Sequence, residues 1–151
     1  MVKIYTDANP TTIAYYIEDS NSGWLNLPPG NTSMQAEYIA IIFGLNSYFR
    51  LFQPELDSRQ YDLDIEKLIA TGEYDYARVS SPAEQTPRAL PPPILVLCDN
   101  QVVVNQLSRQ YHIGDDKLRK LAQTIWQMTR NLDVKFEWVS RKDNPAGKML
   151  K

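Results

Sequence analysis

The first residues alternate. Val2, Ile4 and Thr6 fall on one side and Lys3, Tyr5 and Asp7 on the other, which is the period of a half-buried strand. Ala8-Asn9-Pro10 follows with turn chemistry, so this strand is expected to stop on the Asp7 carboxylate. Residues 11–17 and 24–27 read as two more strands, joined by a turn at 19–23. The connections are too short for crossover helices, which predicts an antiparallel meander. Asn31-Thr32-Ser33 offers a helix cap, and Met34, Tyr38, Ile41, Leu45 and Tyr48 recur at helical spacing. A long helix is predicted over residues 33–49, with Glu37 in its first turn. Ala36, Ile39, Ala40, Ile42 and Phe43 make its other faces apolar as well, so it should be well covered.

The second half has the same kind of punctuation. Ile94-Leu95-Val96-Leu97-Cys98 is an apolar run that ends on Asp99, and reads as a buried strand. Residues 101–109 have helical character through Val103, Val104 and Leu107, and Tyr111-His112-Ile113-Gly114 makes a short link. Asp115-Asp116 caps a further helix with Leu118, Leu121, Ile125 and Met128 on one stripe. Residues 134–139 alternate as a strand, and 144–150 begin a short helix with Pro145 near its first position. Two buried strands that each deliver an Asp at their carboxyl end suggest a site, although an Asp there also serves as an ordinary turn residue.

Residues 51–92 break the pattern. Prolines cluster there, and eight acids face four bases, a net charge of −4 against −2 for the whole chain. This stretch reads as an acidic insertion, with a short helix near 62–70, in a single domain spanning 1–151. Its charge would repel a nucleic acid, so it is expected to pack away from any phosphate site or to serve as a partner surface, including a homodimer contact.

The near-neutral balance announces neither a nucleic-acid nor a membrane binder. A single cysteine cannot form an internal disulfide, and no run of residues is long and apolar enough for a membrane span. A cytoplasmic protein is expected, with no membrane association. Cys98, inside an apolar strand, reads as a core residue rather than a nucleophile, and His112 has no partner motif. Mixed α/β with a five-stranded sheet follows from the order of elements.

Four motifs carry a resemblance: Ile4-Tyr5-Thr6-Asp7, Gln35-Ala36-Glu37-Tyr38-Ile39-Ala40, Leu97-Cys98-Asp99-Asn100-Gln101 and Trp138-Val139-Ser140-Arg141-Lys142-Asp143-Asn144. In this order, on these elements, the chain resembles the ribonuclease H family, in its reverse-transcriptase-like branch. The resemblance implies a ribonuclease H-like mixed sheet of three antiparallel and two parallel strands flanked by helices. It also implies a metal-dependent endonuclease that cuts the RNA strand of RNA/DNA hybrids, with Asp7, Glu37 and Asp99 holding two Mg²⁺ or Mn²⁺ ions. Hard cations do prefer such carboxylates.

For substrate contacts the resemblance points to Asn9, Asn100, Arg141, Lys142 and Asn144. The last motif departs from the family pattern: Gly147 replaces an Ala and Lys148 a fourth acid. Lys148 is therefore expected to lie beside the cluster and either weaken metal binding or act in catalysis. The alternative is a catalytically altered or inactive ribonuclease H-like domain that binds nucleic acid or a protein. The acids have plainer readings too, with Glu37 favouring a helix dipole and Asp99 capping the helix at Gln101.

Overall fold

A computed structural model describes residues 1–52 and 91–150. The acidic stretch, its expected helix and its suggested partner surface lie outside the described residues, apart from a few positions at either end. The described elements run β1 (Val2–Asn9), β2 (Thr12–Ile17), β3 (Ser22–Asn26), α1 (Ser33–Phe52), β4 (Ile94–Cys98), α2 (Gln101–Leu107), α3 (Asp116–Met128) and β5 (Val134–Trp138). Two 3-10 turns, Arg141–Asp143 and Pro145–Met149, close the chain. The sheet order is β3-β2-β1-β4-β5, with β1, β2 and β3 antiparallel and β4 and β5 added parallel to β1. This is the mixed five-stranded sheet the sequence predicts. No described helix is long and apolar enough to cross a membrane.

The strand β1 does not stop at Asp7. Its parallel ladder with β4 ends at Thr6 opposite Cys98, but its antiparallel ladder with β2 continues to Asn9 opposite Thr12. Asp7 is therefore the first residue to outrun β4. Only one edge of the strand is still paired there, and a gap opens at the carboxyl end of β4.

Alternation assigns the faces. Ile4, Thr6, Tyr15 and Ile17 share one face of the sheet, and Tyr5, Asp7, Ala14 and Tyr16 share the other. Helix α1 lies on the first face. Its approach is close because Gly44 has no side chain: a Cβ there would come within 3.0 Å of Ile4 Cγ2 and 3.2 Å of Thr6 Cγ2. Ala36, Tyr38, Ile39, Ala40, Ile41, Ile42, Leu45 and Phe49 are all buried, as the all-round apolar pattern of the helix requires. Its start is a reciprocal cap, in which Gln35 N–H donates to Thr32 Oγ1 and Thr32 N–H to Gln35 Oε1. The stripe on α3 goes to the same core, with Leu121, Ile125 and Met128 buried.

Glu37 lies one turn further along than expected. It is the fifth residue of a helix that begins at Ser33, and no acid occupies the first turn. The dipole effect acts within the first turn, so that reading of Glu37 loses its ground. The last element is a 3-10 turn rather than an α-helix; Pro145 suits a first helical position, but Gly147 is a poor residue for extending the turn.

Candidate active site

Three elements deliver three acids to one end of the sheet. Asp7 comes from β1, Asp99 from the residue after β4, and Glu37 from the second turn of α1. Asp7 and Glu37 are each 6% exposed, and the Asp99 side chain is equally buried. Ligand atoms of Glu37, Cys98 and Asp99 lie within 4.8 Å of one another. Asp7 is in side-chain contact with both Asp99 and Glu37.

Crowding this many carboxyls out of water disfavours their charged forms. Burial, more than any other cause, pushes Asp7 up to about 6; the Ala8 N–H, 2.8 Å from Asp7 Oδ1, opposes the rise, and the Asp99 charge adds to it. Glu37 is pushed up to about 8, by burial first and then by the charges of Asp7 and Asp99. Burial, followed by the Glu37 charge, also holds the Cys98 thiol protonated. The thiol donates to Glu37 Oε2 at 3.5 Å. Cys98 is thus the core residue the sequence suggests, but one that also touches the site.

Asp99 has no capping duty. Asn100 caps α2, its Oδ1 accepting from Val102 and Val103 N–H at 3.0 and 3.2 Å. Asp99 Oδ2 is buried without a hydrogen-bond partner among the described residues. Its nearest cation, Arg141 Nε, stands off at 3.7 Å, and the Arg141 side chain is 92% exposed. That separation is too long for a hydrogen bond. An orphaned carboxylate oxygen is costly, and a hard divalent cation would supply the contact it lacks. The donor set of three carboxyls fits such an ion.

The other residues expected at the site divide clearly. Asn144 is wholly buried, its Nδ2 donating to Thr6 O at 2.9 Å and its Oδ1 accepting from Ala146 N–H at 3.1 Å. It fastens the last turn to β1 and has no surface for a substrate. Asn9 Oδ1 accepts from Thr11 N–H and Oγ1 in the β1–β2 turn. Asn100 also donates its amide to Met34 Sδ. All three asparagines serve the fold.

Arg141 and Lys142 are exposed. The cation that acts on Asp7 is Arg141. Lys148 is exposed and lines a groove of about 390 Å³ with Tyr5, Tyr16, Glu18, Lys142, Asp143 and Pro145. The residue of that turn lying against the acids is Gly147: a Cβ there would sit 2.7 Å from Asp7 Oδ2. Sequence reasoning noted Gly147 as a departure without seeing its contact. It likewise had Trp138 only as part of a motif and not its contact: the indole N–H donates to Asp99 O at 3.2 Å.

Residues 90–150 match the family model described as reverse transcriptase-like. No curated protein matches the chain by sequence. Among solved structures, it is similar to LC11-RNase H1 in complex with RNA/DNA hybrid at 16% identity and a TM-score of 0.67, covering 99% of this chain and 93% of that one. It is also similar to RNase H1 from the halophilic archaeon Halobacterium salinarum, at 18% identity and TM-score 0.62, over 99% and 92% of the two chains. A third likeness is to the N-terminal RNase H domain of a Mycobacterium tuberculosis protein, at 20% identity and TM-score 0.57, over 99% and 91%. The fold over the described residues is therefore that of ribonuclease H, and the C-terminal part, residues 90–150, carries the reverse transcriptase-like sequence pattern.

Proposed function

We propose that the protein is a metal-dependent endonuclease that hydrolyses the RNA strand of RNA/DNA hybrids. The observation that carries this reading is the convergence of Asp7, Glu37 and Asp99, with the buried Asp99 Oδ2 left unpartnered. Two of the similar structures are RNase H1 proteins, one of them solved with an RNA/DNA hybrid.

Asp7, Glu37 and Asp99 would hold two Mg²⁺ or Mn²⁺ ions. Bound, such ions polarise a water for in-line attack on phosphorus and stabilise the leaving 3′ oxygen. The chain's own residues prepare the place. The Ala8 N–H fixes the Asp7 carboxyl, the Cys98 thiol holds one Glu37 oxygen, and the Trp138 indole ties down the Asp99 main chain. Arg141 stands in solvent at the rim, where its guanidinium can take up a phosphate. A hybrid would be recognised through 2′-hydroxyls and groove shape.

The exposed lysine where the family pattern has a fourth acid supports a second reading, a hybrid binder with altered catalysis. Cleavage of a hybrid carrying a labelled RNA strand, in Mg²⁺ and in Mn²⁺, decides between them. We expect cleavage by the native protein and none by Asp7→Asn, whose thermal unfolding in EDTA should be unimpaired because removing one acid relieves repulsion. Binding in EDTA without cleavage in either metal would favour the second reading.

A further inference from the structure

We propose that the exposed indole of Trp138 is the stacking platform for the nucleotide lying beside Asp99, an inference that rests on the hybrid-cleavage reading. Trp138 ends β5 and pairs in register with Cys98. Parallel pairing puts its side chain on the same face of the sheet as the Cys98 thiol, which is the Glu37 side. Phe136, two residues earlier on that face, packs against the core. Trp138 instead remains 50% exposed.

An exposed aromatic is often incidental, but this one is held. Its N–H is spent on the Asp99 carbonyl, and the neighbouring Val139 N–H bonds Cys98 O at 3.0 Å. The polar edge is satisfied by the protein, so what the ring still offers to solvent is apolar π surface. Arg141 adds a cation 3.7 Å from the Asp99 carboxylate. An aromatic plane and a guanidinium beside one acid are the two elements that grip a nucleic-acid strand, the ring for a base or sugar and the cation for a phosphate. Trp24 is a matched contrast. It is 55% exposed on β3, at the opposite edge of the sheet, where it pairs with Ala14 of β2 and has both β2 and β1 between it and β4, the strand that leads into Asp99.

The test measures affinity for a fluorescein-labelled RNA/DNA hybrid in EDTA, followed by KM and kcat in Mg²⁺. Trp138→Ala should weaken binding about tenfold, in line with the loss of one stacked base. KM should rise by a similar factor, and any fall in kcat should be shared by Trp138→Phe, which loses the same hydrogen bond to Asp99 O. Trp138→Phe, which keeps a π face but lacks the N–H, should restore most of the affinity, and Trp24→Ala should bind like the native protein. Native-like binding by Trp138→Ala would overturn the inference while leaving the hybrid reading standing. So would a Phe variant as weak as the Ala variant, because the hydrogen bond to Asp99 would then be the active feature. If Trp138→Ala does not fold, Trp138→Leu takes its place with the same criteria. A native protein that neither binds nor cuts the hybrid would overturn the hybrid reading and this inference together.

Discussion

The three acids and the last turn meet at the same spot but are built very differently. Asp7, Glu37 and Asp99 ride on β1, α1 and β4, elements whose apolar faces are sunk in the core. The turn Pro145–Met149 is five residues long, buries only Ala146, and is pinned by the two hydrogen bonds of Asn144. Carboxylates positioned by the sheet cannot move without disturbing the core. A position on the turn can change chemistry from acid to lysine at little cost to the fold, and that is where the chain departs from the pattern of the family it resembles.

Breaking the pin should have the largest effect on stability. Asn144→Ala removes the bond to Thr6 O and the cap on Ala146, leaving a buried carbonyl and N–H without partners. About 2–3 kcal/mol should be lost in urea unfolding. A loss under about 0.5 kcal/mol would show that the turn is held by something other than Asn144.

A smaller, pH-dependent effect belongs to the acid side. Glu37 is pushed up to about 8 in the folded protein from an ordinary value of 4.5. Between these values the folded state holds more protons than the unfolded one, so stability falls as pH rises through this window. In EDTA, Glu37→Gln should therefore melt higher than the native protein at pH 9, and the advantage should vanish by about pH 4. An advantage equal at both ends would mean that ionisation is not its source.

The smallest change is expected at Lys148, because the side chain lies in the outer groove and solvent screens it. Lys148→Asp should shift the Mg²⁺ midpoint, followed by thermal stabilisation, by less than about threefold. A tightening of tenfold or more would put Lys148 beside the three acids and make the turn part of the same unit as the sheet.

The sequence made most of the fold legible because alternation and helical spacing report burial directly. The strand β1, the stripe on α3 and the all-round apolar α1 were all readable in this way. The places it misled depend on partners. The length of β1 past Asp7 is set by β2, and the position of Glu37 in its helix by where the cap falls. The asparagines at 9, 100 and 144 match substrate positions by resemblance, and the structure adds that each is a turn or cap residue, which is chemistry that Asn favours locally. Residues 147 and 138 stood in the motifs, but their contacts were invisible for a different reason. Their importance is a contact across the fold, and no local pattern encodes it.

The sheet order has a consequence for the time at which the site comes into being. β1, β2 and β3 are neighbours in sequence and can pair early, whereas β4 joins β1 only after a long intervening chain has been closed into a loop. Contacts of such range generally form late in folding. Asp99 would then reach Asp7 near the end of the process, after the transition state. A divalent ion that binds the finished cluster should accordingly slow unfolding and leave the refolding rate almost unchanged.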